Sequence, residues 1–194
     1  MTQKRQNVRK LVECALVVAI AVAIELIPFP DIWAYGGSVS LCMIPIVFCS
    51  YRNGALWGMA SGFVFACVQM MVDPSFPPAE NIGAVILCVF LDYVLAFTFL
   101  GSADFFAKLF GKFKVVGYAA GAVAVGAIRF VCSFISGIVL WGSHTPEGMK
   151  VWVYSLLYNG GYMLPNTIIA AVVVTLFCAY IDPKTLKHIK RNKA

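Results

Sequence analysis

The side chains best suited to chemistry in this sequence are two charges that lie within long apolar runs. Asp92 stands in Phe90-Leu91-Asp92-Tyr93, and Arg129 occupies a similar position in a later run. An acid at the centre of a bilayer costs about 2.5–3.5 kcal/mol on insertion scales, so an intramembrane acid is a functional candidate by default. Two interpretations are open: an Asp92–Arg129 ion pair that holds two helices together, or a carboxylate that faces a cationic or hydrogen-bond-donating ligand.

Aromatic and amide side chains recur at intervals of four residues on two later segments, and residues four apart share one helix face. The two rows are Arg129, Ser133, Gly137 and Trp141, and Tyr154, Tyr158, Tyr162 and Asn166, with Asn159 nearby and Trp33 and Tyr35 in the first loop. A lipid-facing amide would lack hydrogen-bond partners. We therefore predict an outward-opening, aromatic-lined pocket with one buried carboxylate, suited to a flat, positively charged or amine-bearing small molecule. For Trp33 and Trp152 the alternative is the aromatic belt at the membrane interface.

The composition places these segments in a membrane. Of the 194 residues, 61% are hydrophobic and 12% are charged, against roughly 25% charged in an ordinary soluble domain. These fractions argue against a soluble enzyme, a nucleic-acid-binding domain and a disordered chain, despite the formal net charge of +6.

Apolar runs of about 20 residues predict the membrane-spanning helices. We place six, at 11–28, 40–51, 54–72, 83–101, 115–141 and 151–180. With the amino terminus inside, the cytoplasmic segments hold all fifteen basic residues except Arg129 and Lys150, as the positive-inside rule expects. The predicted fold class is all-α: an integral membrane bundle of six transmembrane helices with both termini cytoplasmic. It forms a single membrane domain over 1–194, with basic cytoplasmic tails at 1–10 and 182–194.

Proline, glycine and alanine positions carry further expectations about these helices. Pro45 predicts an irregular or kinked second helix, and Gly160-Gly161 with Pro165 predict an interrupted last helix.

Small residues every four positions form two seams, Ala15, Ala19 and Ala23 on the first helix and Gly54, Gly58 and Gly62 on the third. Such seams let another backbone approach closely. We favour internal packing for the glycine seam, whereas an internal contact and a partner's helix are equally compatible with the alanine seam.

The remaining reactive residue types support neither catalysis nor metal binding. The seven cysteines fall in apolar runs without a CxxC spacing, and His144 and His188 stand far from any cluster. The sequence contains no GxxxxGK[ST], HExxH or GxSxG motif. We expect no enzyme, no catalytic residue, no metal and no cofactor, which leaves a facilitator or the binding subunit of a larger machine.

Motifs along nearly the whole chain match a known family. They are Trp33 with Gly36-Gly37-Ser38-Val39-Ser40-Leu41 and Met43-Ile44-Pro45-Ile46, then Leu91-Asp92-Tyr93, Arg129-Phe130, Phe134-Ile135-Ser136-Gly137, Trp141-Gly142, Pro146-Glu147-Gly148-Met149 and Tyr154-Ser155-Leu156-Leu157-Tyr158-Asn159-Gly160. They resemble the thiamine-specific substrate-binding (S) component of energy-coupling factor (ECF) transporters, the ThiT family. The resemblance implies a multi-pass protein of a prokaryotic plasma membrane. It would bind thiamine from outside and dock on a membrane-embedded coupling protein driven by two ATPase subunits.

The resemblance also implies roles for particular residues. Asp92 would meet the charged or amine-bearing part of the vitamin with Tyr93 beside it, Trp141 and Tyr154 would stack on or border its rings, and Asn159 would form a hydrogen bond. Trp33 would close the pocket from the first loop, with Ser40 as a weaker candidate. The seam Ala15, Ala19 and Ala23 would be the docking surface for the coupling protein.

Two positions depart from the family pattern. Family members often carry a histidine where this chain has Ser133, and an acid can stand where it has Asn166. Loss of the histidine removes a ring and a nitrogen from the predicted site. A thiamine precursor or analogue is therefore an alternative ligand. A stand-alone carrier, and a structural subunit in which Asp92 pairs with Arg129, are alternative functions.

Overall fold

The protein is all-helical over the residues that its computed structural model describes, which are 3–27, 40–78 and 81–189. The helices are α1 (Gln3–Glu25), α2 (Met43–Asn53), α3 (Ala55–Val72), α4 (Ile82–Leu100), α5 (Ala103–Lys108), α6 (Lys114–Val139) and α7 (Val151–Tyr180). A short 3-10 turn, Gly142–His144, follows α6. The predicted loop residues Trp33 and Tyr35, and the sequence Gly36-Gly37-Ser38, lie outside the described residues.

The predicted spans correspond to six of these helices. Within the described ranges, α3, α4, α6 and α7 are long and apolar enough to cross a membrane. The boundaries differ most at α1, which begins at Gln3 instead of residue 11 because a helix can continue through polar residues that hydropathy excludes. The helix α2 has only 11 residues. The number of spans and the side of the termini stay predictions.

Two expectations about helix breaks were wrong. The helix α7 runs without interruption over 30 residues, with Gly160-Gly161 and Pro165 inside it. Its long contact with α6 keeps the helix continuous although Pro165 removes one backbone hydrogen bond. The helix α2 is regular from Met43, and Pro45 lies in its first turn, where backbone N–H groups have no intrahelical acceptor.

The middle of α4 departs from α-helical geometry. Residues Val89–Leu95 form wide π-helical turns between the α-helical segments Ile82–Cys88 and Ala96–Leu100. Turns of this kind are rare and occur frequently at functional sites. Asp92 and Tyr93 both lie within this segment, so the irregular backbone coincides with the intramembrane acid.

Gly58 and Gly62 of the glycine seam pack inside the bundle, as predicted, whereas Gly54 does not. A Cβ atom at Gly58 would collide with the Gly101 carbonyl, and one at Gly62 would collide with the Phe97 carbonyl. Close approach of α3 to α4 therefore requires glycine at both positions. Gly54 has a different role, since it joins α2 to α3 with a positive φ of 96°.

The alanine seam faces away from the bundle. Ala15, Ala19 and Ala23 are exposed, whereas Cys14 and Val18 on the other side of α1 are buried. The internal contact considered for this seam is therefore absent among the described residues.

Ionic contacts hold the middle of α1 against the end of α2. The Arg52 guanidinium donates to both carboxylate oxygens of Glu13, at 2.7 and 2.5 Å, and to the Pro183 carbonyl at 2.9 Å. Part of the predicted tail 182–194 thus folds back on the bundle, where the Ile189 amide also donates to the Tyr180 carbonyl.

Candidate ligand-binding site

A cavity of about 230 Å³ opens at the end of the bundle where α1 ends and α2 begins. The connections from α3 to α4 and from α6 to α7 meet at the same end. The acids, the base and the aromatic rings in its wall are Glu25, Asp73, Asp92, Arg129, Tyr93, Phe97, Trp141, His144, Tyr154, Tyr158 and Tyr162. The uncharged polar residues are Ser40, Gln69, Ser75, Ser133, Ser136, Ser155 and Asn159. Three carboxyl groups and one guanidinium make this a site with an excess of acids.

The Asp92 carboxylate is held by neutral donors from two helices. It accepts a hydrogen bond from the Ser136 hydroxyl of α6 and one from the Cys88 thiol, at 3.5 Å, on the preceding turn of α4. It forms no ion pair with Arg129, and none of the described ion pairs includes either residue. Since a carboxylate has about four lone-pair positions, acceptor capacity is left for a ligand donor.

Arg129 lines the same cavity, and two of its guanidinium nitrogens donate no hydrogen bond to a described residue. Its guanidinium carbon lies 4.5 Å from the centre of the Phe97 ring, a cation–π contact. Its Nε and Nη1 atoms are buried and have no hydrogen-bond partner among the described residues. A buried donor without an acceptor costs about 1–3 kcal/mol, so an acceptor atom on a bound ligand would relieve a real deficit.

The helix α7 supplies an aromatic wall and an immobilised amide. Tyr154 and Tyr158 stack with ring centres 5.8 Å apart, and Tyr158 meets Tyr162 edge-on at 5.7 Å. The Asn159 amide donates to the Ser155 carbonyl at 2.9 Å, and its oxygen accepts from the Tyr162 hydroxyl at 2.9 Å. These bonds fix the orientation of the 5%-exposed Asn159.

Ser40 ties three helices together at the cavity wall. Its backbone N–H donates to Asn166 Oδ1 on α7 at 2.7 Å, and its hydroxyl donates to the Glu25 carboxylate at the end of α1. The same hydroxyl accepts from the Cys42 amide. The polar side chain of Asn166 therefore has a structural partner, as a buried amide requires.

Tyr93 fixes the segment that follows α3. Its hydroxyl accepts from the Ser75 amide at 2.7 Å and donates to the Asp73 carbonyl at 3.2 Å. Its side chain also forms part of the cavity wall. Tyr93 therefore holds the segment around Asp73 and Ser75 beside α4.

The structure brings the residues singled out from the sequence into one wall. Asp92, Tyr93, Trp141, Tyr154, Asn159, Ser133 and Ser40 all line the cavity, while Trp33 lies outside the described residues. Sequence reasoning missed several further residues, namely Glu25, Gln69, Asp73, Ser136 and His144. Glu25 had a usable signal, because it is a second acid within an apolar run.

The structure places His144 in the cavity wall, a position that the sequence did not predict. The 3-10 turn after α6 places its ring 5.6 Å from the Trp141 ring, in the cavity wall. The sequence spacing concealed this contact because it depends on a turn and not on a helical period.

Long apolar helices around a polar cavity are the architecture of a membrane-embedded protein with a cavity of small-molecule size. The family model described as "Thiamine transporter protein" matches residues 11–186, and the chain belongs to this family. Its members are transporters and not enzymes, and the family resemblance inferred from the sequence is confirmed.

Individual relatives agree with this assignment. The chain is 35% identical to the thiamine transporter ThiT of Bacillus subtilis (strain 168), over 98% of this chain and 100% of that protein. It is 31% identical to the thiamine transporter ThiT of Lacticaseibacillus paracasei, over 89% of this chain and 88% of that protein. A solved structure of ThiT from Listeria monocytogenes has the same fold, with a TM-score of 0.73 and 19% identity over 89% of this chain and 94% of the other.

Proposed function

We propose that this protein is the high-affinity thiamine-binding S component of an ECF-type vitamin uptake transporter in a prokaryotic plasma membrane. The observation that carries the proposal is the Asp92 carboxylate, which lines an aromatic cavity and is not neutralised by Arg129. The two similar ThiT proteins are both named as thiamine transporters.

The chemistry of the wall matches that of thiamine, a flat aminopyrimidine joined to a positively charged thiazolium. Asp92 would attract the cation or accept from the amine, and such charge-assisted bonds are about twice as strong as neutral ones. Trp141 and Tyr154 would cover the ring faces, where each cation–π contact contributes about 0.5–2 kcal/mol. Tyr93, Ser133 and Asn159 would complete the contacts.

The remaining roles concern closure and delivery. Trp33 would close the pocket from the first loop, and the Ser40 bond to Glu25 would hold the adjoining wall. The exposed face Ala15, Ala19 and Ala23 would dock on the membrane-embedded coupling protein, which two ATPase subunits drive. Small side chains allow the close helix approach that such docking needs.

Titration of the purified protein with thiamine, with its pyrimidine half and with its thiazole half tests the ligand. Quenching of tryptophan fluorescence reports binding, since Trp141 lines the cavity. We expect thiamine to bind at least about 100-fold more tightly than either half, because only the whole molecule meets both the rings and the carboxylate. A half that binds as tightly as thiamine would instead favour a precursor as the ligand, and no binding of any of the three would overturn the proposal.

Replacement of Trp141 by alanine tests the aromatic contact. We expect Trp141→Ala to weaken thiamine binding about 10- to 100-fold, because stacking area and cation–π contact are lost together. Isothermal titration calorimetry avoids dependence on the removed fluorophore. Trp152→Ala is the matched control, since Trp152 is 51% exposed and lies outside the cavity wall. Equal dissociation constants for the two variants would contradict the assignment of Trp141.

A further inference from the structure

The imidazole of His144 is built into the cavity wall beside Trp141. The two ring centres are 5.6 Å apart and the ring planes are inclined by 47°. The two rings are therefore inclined to each other and are not stacked in parallel, and we call this pair the Trp141–His144 corner. His144 also lines the cavity that contains Asp92 and Arg129, so the ring borders the space that a ligand would fill.

Short backbone bonds fix the position of this corner. The His144 amide donates to the Trp141 carbonyl at 3.1 Å, and the Thr145 amide donates to the Gly142 carbonyl at 3.1 Å. A Cβ atom at Gly142 would lie 3.2 Å from Val151, so the turn packs tightly on the first residue of α7. The Trp141–His144 corner is thereby held between α6 and α7, and both helices contribute polar residues to the cavity wall.

We propose that His144 is a specificity-determining residue of this pocket, which contacts the heteroaromatic rings of the ligand together with Trp141. The proposal rests on the proposed function, because it assigns His144 to the thiamine site. An imidazole ring offers an aromatic face and a nitrogen that can exchange a hydrogen bond with an amine. Two inclined rings recognise a flat, amine-bearing heterocycle better than one ring does, since edge and face contacts are both satisfied.

Substitutions of His144 separate the contribution of its aromatic face from that of its hydrogen-bonding nitrogen. We expect His144→Ala to weaken thiamine binding about 3- to 10-fold, and His144→Phe, which keeps the ring face, to retain most of the affinity. His188→Ala is the matched control, because the only other histidine is exposed near the carboxyl end of the chain. Its dissociation constant should equal that of the native protein.

A charge placed at this position distinguishes ligand contact from a structural role. A His144→Lys ammonium beside the ligand would repel the thiazolium cation, so it should weaken binding of thiamine more than binding of the uncharged pyrimidine half. A merely structural role would lower both affinities by the same factor. The unfolding midpoint of each unliganded variant shows that it is folded, and His144→Gln replaces any variant that is not.

The outcomes separate this inference from the proposed function. If the native protein binds thiamine and His144→Ala binds it equally tightly, the role of His144 is overturned while the proposed function stands. Equal losses for thiamine and the pyrimidine half in His144→Lys would also overturn it. If the native protein does not bind thiamine, the proposed function itself fails.

Discussion

At the scale of single residues, the pocket keeps its charges apart. Asp92 accepts bonds from Ser136 and Cys88, while the Arg129 guanidinium lies over Phe97 with two buried N–H donors that no described residue accepts. In an ion pair, the Asp92 carboxylate and the Arg129 guanidinium would bind each other, and few of their hydrogen-bonding positions would remain for a ligand. Their separation leaves an acceptor and a donor available in the same cavity, which is the arrangement that a ligand with a cation and an acceptor atom requires.

Asp92→Asn tests whether this carboxylate serves the ligand. The amide has nearly the same shape but no charge, so we expect thiamine binding to weaken about 10- to 100-fold, the range for a hydrogen bond to a charged group. Titration measures the dissociation constant, and thermal unfolding of the unliganded protein measures stability.

Asp104→Asn is the matched control for Asp92→Asn. Asp104 is buried, at 4% exposure, and contacts Lys108 at 2.6 Å outside the cavity wall, whereas Asp92 is half-buried within that wall. Its replacement should leave thiamine affinity unchanged. Full affinity in Asp92→Asn together with a lower unfolding midpoint would show that Asp92 is structural.

At the scale of helices, close packing of α3 on α4 supports the segment that carries Asp92. Gly58 and Gly62 face the carbonyl groups of Gly101 and Phe97 without space for a side chain. The wide turns Val89–Leu95 lie directly before this contact along α4. A loss of packing at the glycine seam would therefore lower the stability of the fold. It would affect the ligand site only indirectly, by displacing α4 and with it Asp92.

Gly58→Ala should lower the free energy of unfolding by about 1–3 kcal/mol, because the added methyl group forces the two backbones apart. Urea or thermal unfolding in detergent micelles measures the change. Gly160→Ala is the matched control within α7, where the nearest atom to an added Cβ is Phe130 Cε2 at 3.9 Å. That replacement should be neutral or stabilising, since alanine is favoured over glycine inside a helix by about 0.5–1 kcal/mol. Equal destabilisation by both variants would show that the α3–α4 contact has no special role.

At the scale of the whole molecule, α1 connects the pocket to the exposed alanine face. Its last residue, Glu25, lines the cavity, and Glu13 in the middle of the helix is bound by Arg52. The exposed residues Ala15, Ala19 and Ala23 lie between these two anchors. One helix therefore carries both a wall of the ligand site and the surface that we assign to docking.

Ala19→Leu should leave thiamine affinity unchanged and abolish uptake, since a bulky side chain would prevent close approach of a partner helix. Uptake of labelled thiamine by cells, and co-purification of the coupling protein, provide the two measurements. Ala127→Leu is the matched control, because Ala127 is exposed on α6 away from α1. Intact co-purification of the Ala19→Leu protein would refute the docking assignment. Undiminished uptake in cells that lack the coupling ATPases would favour a stand-alone carrier.

The sequence by itself determined the all-α class and the membership of the polar rows. Apolar length and a spacing of four residues are properties of one helix, so they placed Arg129, Ser133 and Gly137 on one face before any packing was known. The last member of this row, Trp141, lies beyond the end of α6 at Val139, so its place in the cavity wall depends on the turn after the helix. The family motifs added Tyr93 and Ser40, which the structure also finds in the cavity wall.

Only the tertiary structure decided which of these groups meet. The separation of Asp92 from Arg129, the bond between Ser40 and Asn166, and the place of His144 beside Trp141 depend on how neighbouring helices and turns are rotated and aligned. The continuity of α7 through Pro165 likewise depends on its packing against α6. Periodicity fixes the face of a helix that a residue occupies, whereas a side chain's partner on another helix is set by contacts between segments distant in sequence.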